Sequence, residues 1–191
     1  MCKTTYNNDP MVRLNINRRS RACLPGVAAL AFGLLLPASP AFSIDERELT
    51  FYHTHTRESL QITYAAGGEY VESALIEINA FLSDFRTGDE TVMDPELLDL
   101  IYDVRQSLAN NGTFEIISAY RSPKTNEMLR GNSNGVAKNS QHLLGKAIDI
   151  RLRNVDTREL RDAAIALQRG GVGYYEDSDF VHIDTGRVRR W

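Results

Sequence analysis

Two histidines and an aspartate are spaced in a way that could hold a metal ion. His142 lies seven residues before Asp149, with Gly145 between them. Farther along the chain, His182 lies two residues before Asp184 in an alternating stretch. Two imidazoles and one carboxylate, with a fourth position left to water, form a ligand set typical of catalytic zinc. Spacing alone does not exclude the alternative, in which His142 is an ordinary loop residue and Asp149 a solvated strand residue.

The local pattern indicates which elements would position these side chains. Residues 147–152 and 180–184 alternate in the manner of strands, which places the aspartate on one strand and the second histidine on another. His142 would lie on the loop that enters the first of these strands. Gly145 would allow the backbone to turn tightly between loop and strand.

The chain before these strands predicts a hairpin and two helices. Residues 48–64 are rich in β formers, and residues 71–85 repeat apolar side chains at helical spacing. Asp94 and Pro95 are typical of a helix N-terminus, and the apolar periodicity then continues to Leu108.

The remaining elements are short strands and helices. They are a buried strand at 114–118, a short helix near 124–130, a helix capped by Asp156 or Thr157 that ends near Gln168, and a strand at 172–175. Helices come before a mostly antiparallel set of strands, so the expected class is α+β, with an N-terminal hairpin and helices packed on a small sheet. Neither an internal repeat nor a linker is evident, which favours one domain.

The first 41 residues predict an export signal. A cationic segment at 17–21 is followed by an apolar run at 24–36, and then by small residues that suit cleavage after Ala41. The adjacent Arg18 and Arg19 favour the twin-arginine route, with a Sec signal that contains such a pair as the alternative. Residues 42–191 would then be the exported domain, which we expect in the periplasm.

The composition of residues 42–191 narrows the classes of function. Cys2 and Cys23 lie in the segment that would be removed, so a metal site would use nitrogen and oxygen ligands. Removal takes away five basic residues and one acidic residue, which changes the formal net charge from −3 to −7. Such an acidic domain is a poor candidate for nucleic-acid binding. No apolar run after Ala41 approaches the ~20 residues that span a bilayer, so no transmembrane segment is expected.

Several short segments resemble a known family of peptidases. The pattern Ser140-x-His142-x-x-Gly145-x-Ala147-x-Asp149, followed by His182, closely resembles the zinc D-Ala-D-Ala dipeptidase and carboxypeptidase family. That family is grouped with lysostaphin-type enzymes and the hedgehog N-domain. Segments 118–122, 170–175 and 180–186 look more specifically like its YcbK-type branch of murein endopeptidases. The resemblance extends from about residue 46 to residue 191.

The resemblance implies a ligand set and a cationic partner for the substrate. His142, Asp149 and His182 match the family's three zinc ligands, so the implied cofactor is Zn²⁺. Arg121 matches the arginine that faces the substrate carbonyl, where a fixed cation would stabilise the negative charge that develops on oxygen. An ordinary ion pair at a strand end is the alternative for Arg121.

The general base is left open between two aspartates. Many relatives carry a glutamate three residues before the second histidine ligand, and this sequence has Asp179 there, whose shorter side chain would have to reach farther. Asp184 competes, because residues two apart in a strand share a face and it would point the same way as His182. Side-chain direction favours Asp184. The other aspartate is expected to hold a histidine by its outer ring nitrogen.

Three further segments have alternatives of their own. Ser140 and Gln141 are expected to orient either the loop or the substrate. His53 and His55 could form a second metal site, but no third ligand is near them in sequence, which favours a surface strand. Residues 187–191 are either a basic contact to acidic wall peptides or a solvated end.

Together these features predict a periplasmic, zinc-dependent murein endopeptidase that hydrolyses peptide cross-links of the cell wall, through either a D,D or an L,D bond. Zinc would lower the pKa of its bound water to about 7 and so provide a nucleophile at neutral pH. The rival is a non-catalytic peptidoglycan-binding module that keeps the fold. Cysteine and serine hydrolases are set aside, because residues 42–191 contain no cysteine and no Gly-x-Ser-x-Gly elbow is predicted.

Overall fold

The computed structural model describes residues 45–132 and 136–191, and the predicted export signal at 1–41 lies outside them. The elements in chain order are β1 (Glu46–His53), β2 (Ser59–Ala66), β3 (Glu69–Tyr70), α1 (Glu72–Phe81), α2 (Pro95–Ser107), β4 (Phe114–Ser118), α3 (Pro123–Asn132), a 3-10 turn (Gln141–Leu144), β5 (Ala147–Leu152), α4 (Thr157–Ala166), β6 (Gly171–Tyr175), β7 (Phe180–Asp184) and β8 (Arg189–Arg190). None of the helices in these two ranges has both the length and the apolar character needed to cross a bilayer.

The strands of the described residues form one mixed, eight-stranded sheet in the order β3-β2-β1-β4-β5-β7-β6-β8. Neighbours are antiparallel except for two parallel pairs, β1 with β4 and β6 with β8. The predicted α+β class is therefore confirmed. The hairpin differs from the prediction, because it continues the sheet through the β1–β4 pairing instead of packing on the sheet. This pairing satisfies backbone groups that an open strand edge would leave to water.

Apolar side chains of the central strands pack with the helices to form the core. Ile148 and Ile150 of β5, together with Val181 and Ile183 of β7, are fully buried in this cluster. Since side chains alternate across a strand, the residues between them project from the opposite face of the sheet. That opposite face carries the polar side chains of the candidate site.

Local side-chain caps determine where two of the helices begin. Asp94 caps α2, and its carboxylate accepts a hydrogen bond from the Glu96 amide at 3.1 Å, with Pro95 in the first turn. Asp156 caps α4 in the same way, by accepting from the Arg158 amide at 2.8 Å. Both helices therefore begin where the sequence predicts.

Two features of local structure differ from the prediction. Helix α1 ends at Phe81 and not near Phe85, because the chain turns at Asp84, whose buried carboxylate accepts hydrogen bonds from the amides of Arg86 and Ser122. Strands β3 and β8 were not predicted, since two residues are too few for an alternating pattern to show.

His53 and His55 do not form the predicted surface strand. His53 is buried at the end of β1, and its Nδ1 accepts hydrogen bonds from the backbone amides of His55 and Thr56. His55 lies in the turn that follows and stacks on the ring of Phe85. His53 therefore follows the alternation of β1, in which Leu49 and Phe51 are also buried, whereas His55 lies beyond the end of the strand.

Residues 131–135 have the Gly-x-Ser-x-Gly spacing of a serine nucleophile elbow. The first two of these residues belong to the end of α3, whereas a nucleophile elbow follows a strand and opens a helix. Because the first glycine of this spacing lies in a helix and not at the end of a strand, it lacks the context of a nucleophile elbow.

Candidate metal centre

The three predicted ligands come together on the polar face of the sheet. His142 Nε2 lies 3.1 Å from His182 Nδ1 and 3.2 Å from Asp149 Oδ1. The third distance, from His182 Nδ1 to Asp149 Oδ1, is 2.8 Å. Ligand atoms about 2.1 Å from a tetrahedral metal ion lie about 3.4 Å apart. These three atoms therefore have nearly the spacing that a single ion needs. Among the described residues, no other group of three such side chains converges in this way.

Strand pairing places the aspartate beside one histidine. Asp149 of β5 lies directly opposite His182 of β7 in the antiparallel register, and both side chains are buried. A shift of the register by one residue would turn these side chains toward the other face of the sheet. The core residues of β5 and β7 thus fix the site indirectly, because they determine which face each side chain occupies.

The 3-10 turn places the other histidine. The Ser140 hydroxyl caps this turn and accepts a hydrogen bond from the His142 amide at 3.3 Å. Gly145 ends the turn in the left-handed region, with φ at 67°. A Cβ atom at this position would lie only 2.4 Å from the carbonyl oxygen of Val92, so glycine is required for space as well as for conformation.

The outer nitrogen of each histidine donates a hydrogen bond away from the centre. His142 Nδ1 donates to the carbonyl oxygen of Ala119 at 2.6 Å, and His182 Nε2 donates to Asp184 Oδ2 at 2.9 Å. These acceptors favour protons on the outer nitrogens, so the lone pairs of the inner nitrogens point at the centre. Both rings are therefore held in the tautomer that a metal ligand requires.

Burial and neighbouring charges set the protonation of the three ligands. Burial lowers the pKa of His142, which favours the neutral ring that binds a metal. Burial alone would raise the pKa of Asp149, but the charges and hydrogen bonds of His142 and His182 outweigh burial and hold that pKa well below its ordinary value. Burial also acts to lower the pKa of His182, but its hydrogen bonds with Asp149 and Asp184 raise that pKa overall. The centre thus contains an ionised carboxylate, which favours a cation.

Asp184 lies on the side of the His182 ring that faces away from the centre. It is fully buried, and its carboxylate also accepts hydrogen bonds from the amides of Gly171 at 3.2 Å and Gly186 at 2.8 Å and from Arg189 at 2.9 and 2.6 Å. Burial alone would raise the pKa of Asp184, but the hydrogen bonds from His182 and Arg189 lower it. Asp184 therefore stays ionised and holds His182 by its outer nitrogen.

Asp179 lies in the turn between β6 and β7, outside the cavity beside the centre. Its Oδ1 accepts a hydrogen bond from the Thr157 hydroxyl at 2.7 Å, and its Oδ2 lies 3.3 Å from Nε of Arg151. The side chain is 65% exposed. Neither Asp179 nor Asp184 lines the cavity, so the identity of the general base stays a prediction.

Arg121 contacts the centre through the aspartate ligand. Its Nη2 donates to Asp149 Oδ2 at 2.7 Å, and its Nε donates to the hydroxyl of Ser118 at 3.2 Å. The backbone amide of Arg121 also donates to the carbonyl oxygen of His142 at 3.2 Å. Asp149 Oδ2 is thereby occupied, which leaves Oδ1 for the centre. Arg121 also lines the cavity, where it would meet a substrate.

A cavity of about 390 Å³ opens beside the three ligand atoms. The cavity lining combines polar and aromatic side chains. The polar residues include Arg121, Ser140 and Gln141, and the aromatic residues are Tyr175, Phe180 and Trp191. The centre therefore adjoins a space large enough for part of a peptide chain.

Residues 187–191 are not simply a solvated end, and the predicted contact to wall peptides stays a prediction. Arg189 pairs with Asp184, and Trp191 lines the cavity. The signal that could have found them is the glycine run of β6. A Cβ atom at Gly171 would lie 2.4 Å from Nη1 of Arg189, and one at Gly173 would lie 2.6 Å from the Trp191 ring. Two glycines thus leave space for two side chains of the site.

The sequence also gave no indication of Asp84, which anchors the loop that carries Arg121. Its buried carboxylate accepts hydrogen bonds from the amide of Ser122 at 2.9 Å and from the Ser122 hydroxyl at 2.8 Å. The Ser122 hydroxyl oxygen in turn accepts from the Thr125 amide at 3.3 Å, at the start of α3. The residue that follows Arg121 is therefore held in place by hydrogen bonds to Asp84.

Comparison with known proteins gives concordant matches. The sequence model of a family described as peptidoglycan L,D-endopeptidase MepK matches residues 41–191. Peptidoglycan L,D-endopeptidase MepK of Escherichia coli K12 is 39% identical over 182 residues, which cover 95% of this chain and 100% of that protein. A probable peptidoglycan L,D-endopeptidase MepK of Haemophilus influenzae is 38% identical over 180 residues, which cover 92% of this chain and 95% of that protein. No solved structure matches the chain significantly.

Proposed function

Because this chain belongs to the family of peptidoglycan L,D-endopeptidase MepK, we propose that it is a zinc-dependent endopeptidase that hydrolyses peptide cross-links of peptidoglycan. The observation that carries the proposal is the convergence of His142, Asp149 and His182 beside an open cavity. Three protein ligands and one accessible position are what a hydrolytic metal site needs.

The proposed scissile bond follows from the names of the relatives. Those in Escherichia coli and Haemophilus influenzae are named L,D-endopeptidases. By analogy, the bond cut by this chain would be an amide between an L and a D centre, in preference to the D,D alternative.

Zinc is the proposed metal because two imidazoles and one carboxylate lie at nearly tetrahedral spacing. When bound, zinc supplies Lewis acidity, which polarises a carbonyl and makes water a nucleophile near neutral pH. The chain itself fixes the three ligand atoms, sets the tautomer of both histidines and leaves one side open to the cavity.

Arg121 is proposed to face the substrate carbonyl as well as to hold Asp149. Its guanidinium is fixed by Asp149 and Ser118, and it lies on the cavity wall. A cation that is already in place stabilises developing negative charge without further reorganisation. The same side chain would thus serve both the ligand and the substrate.

The two predicted bases receive different proposals. Asp184 is committed to hydrogen bonds from His182, Arg189 and two backbone amides, so we assign it the positioning of His182. Asp179 remains the candidate to accept a proton from the attacking water, because its carboxylate is exposed. To reach the cavity it would have to leave Thr157 and Arg151.

The location and finer fold class are also proposals. We propose that residues 1–41 direct export and are removed, and that residues 42–191 act as one domain in the periplasm. The finer fold is proposed to be of the hedgehog and D,D-peptidase type, which the placement of His142, Asp149 and His182 on two adjacent strands and a preceding turn supports.

The test is cleavage of purified peptidoglycan by the purified protein. The measurement is the muropeptide profile after incubation, first with the protein as isolated, then after treatment with a chelator, and then after zinc is added back. We expect cross-linked muropeptides to decrease, the decrease to stop after chelation, and zinc to restore it.

The same experiment separates the enzyme from a non-catalytic wall-binding module. A module would sediment with the wall and leave the muropeptide profile unchanged in every arm. That result would reject the proposed activity.

A further inference from the structure

The indole of Trp191 is held beside the metal centre by the edge of the sheet. The Trp191 amide donates to the carbonyl oxygen of Val172 at 3.3 Å, and the Tyr174 amide donates to the carbonyl oxygen of Trp191 at 3.1 Å. These bonds extend the parallel pairing of β8 with β6 by one residue. Gly173, which the ring covers, lies opposite His182 in the sheet.

Three contacts fix the orientation of the ring. It lies against the backbone at Gly173, its Nε1 donates to the hydroxyl of Tyr175 at 3.1 Å, and the Arg189 guanidinium lies 4.9 Å from the ring centre. The ring centre is also 5.3 Å from that of His182. Trp191 nevertheless remains 52% exposed and lines the cavity. A large aromatic surface that is both fixed and exposed needs little ordering when it binds a partner.

The distance to His182 indicates which part of a substrate would meet the ring. Two residues of an extended peptide span about 7 Å, and the ring lies closer than that to a ligand of the centre. A substrate group that contacts the Trp191 indole would therefore belong to the residue next to the scissile amide.

The surroundings of the ring indicate the chemistry of that group. The guanidinium of Arg189 already lies over the indole, so a second cation on the ring would be repelled. Tyr175 and Phe180, stacked 4.5 Å apart, continue the aromatic surface along the cavity. Hydrocarbon groups bury well against such a surface.

From these observations we infer that Trp191 and Tyr175 form the wall that positions the substrate, and that this wall binds the aliphatic side chain of the residue next to the scissile amide. The inference rests on the proposed endopeptidase function. It gives residues 187–191 a role in the cavity, whereas the sequence predicts a contact to acidic peptides or none.

The test compares Trp191→Ala and Trp191→Phe with the wild type on soluble cross-linked muropeptides released from peptidoglycan by a muramidase. Tyr70→Ala is the matched control, because Tyr70 is also a partly exposed aromatic residue on a two-residue edge strand, at the other end of the sheet. The measurements are kcat, KM, zinc per protein, melting temperature, and equilibrium binding of the same muropeptides.

We expect Trp191→Ala to raise KM and the dissociation constant about 10-fold, as the loss of an aromatic anchor does, and Trp191→Phe to raise them by about 2-fold. Zinc content should match the wild type in both variants, and Tyr70→Ala should change neither KM nor binding. If the melting curve shows that Trp191→Ala does not fold, the comparison of Trp191→Phe with the wild type is the test.

Unchanged KM and binding in the Trp191 variants would overturn the inference. A joint loss of kcat and zinc with unchanged binding would also overturn it, because the ring would then act only as a support for His182. An inactive wild type would reject the proposed function, and the binding measurement would still decide whether the aromatic wall holds these peptides.

Discussion

Each end of the sheet contains a carboxylate that holds an arginine and at least one aromatic ring. At the end formed by β1 to β3, Asp99 of α2 accepts hydrogen bonds from Arg47 at 2.7 Å, Tyr64 at 2.9 Å and Tyr70 at 2.6 Å. At the end formed by β5 to β8, Asp184 accepts from Arg189 and from the ring of His182. Both networks contain an arginine–carboxylate ion pair and a hydrogen-bond donor on an aromatic ring.

The two networks differ in what the ring can do with its remaining atoms. A phenol of Tyr64 or Tyr70 has no second polar atom once its hydroxyl is engaged. The imidazole of His182 has a second nitrogen, and this atom points at His142 and Asp149. The comparison shows that a carboxylate–arginine pair does not by itself identify a functional site. What distinguishes the candidate site is the second nitrogen of the His182 ring.

The largest effect should come from removing a ligand. His142→Ala should lower zinc content and cleavage by more than the 10- to ~100-fold typical of outer partners of a metal ligand. His55→Ala is the control, since His55 lies on an exposed turn and does not line the cavity. Metal analysis and muropeptide profiles check this, and equal zinc content in the two variants would contradict the assignment of the centre.

The next effect tests the comparison of the two carboxylates directly. Asp184→Asn should weaken zinc affinity by roughly 10- to 100-fold, because His182 would lose the charged acceptor that holds its outer nitrogen and would face an uncharged amide instead. Asp99→Asn, in the other network, should leave zinc affinity unchanged and only lower the free energy of unfolding. Competition with a zinc-binding dye measures both. If both variants lost zinc equally, the two networks would have to be coupled.

The contribution of the Asp99 network, which has no metal ligand, to the free energy of unfolding should depend on pH. Burial would raise the pKa of Asp99, but hydrogen bonds from Tyr70, Tyr64 and Arg47 outweigh burial and lower it. A carboxyl with a lowered folded-state pKa stabilises the fold above its unfolded pKa of about 3.9, and this contribution is lost as the pH falls further.

Urea unfolding of the wild type and Asp99→Asn should therefore give stability curves that differ most above pH 5 or so and converge as the pH falls through the lowered folded-state pKa of Asp99. Parallel curves over that range would show that Asp99 does not contribute through its charge.

The smallest effect should come from a single hydroxyl. Tyr70→Phe removes the donor to Asp99 Oδ2 at 2.6 Å on a partly exposed edge strand. We expect the free energy of unfolding to fall by about 1 kcal/mol, with no change in cleavage. A loss of cleavage in this variant would contradict the separation of the two ends of the sheet.

Local signals made much of the fold predictable. The caps Asp94 and Asp156 and the alternation of β5 and β7 depend on neighbours within a few residues, so the sequence shows them directly. The parallel pairing of β1 with β4 joins segments about 60 residues apart, and no local pattern records it. The early end of α1 has the same cause, because Asp84 turns toward Ser122 in a distant loop.

The ligands of the candidate site could be predicted from the sequence, but the roles of the residues around them could not. The types and spacing of His142, Asp149 and His182 indicate metal ligands, and the structure brings all three together. The choice between the two roles open to Asp184, and the role of Arg189, could not be predicted, because both depend on which nitrogen of the His182 ring faces which neighbour. That direction is decided only when strands and turns pack.

The glycines of β6 have a consequence for how this enzyme family can vary. Alanine is usually the mildest replacement, but at Gly171 its single methyl group would press on both Arg189 and Asp184, and at Gly173 it would press on the indole of Trp191. Substitution of these two glycines should therefore displace side chains of the site, although the glycines contribute no chemical group themselves. In a saturation mutagenesis screen these positions would look catalytic, although what they provide is space for Arg189 and Trp191.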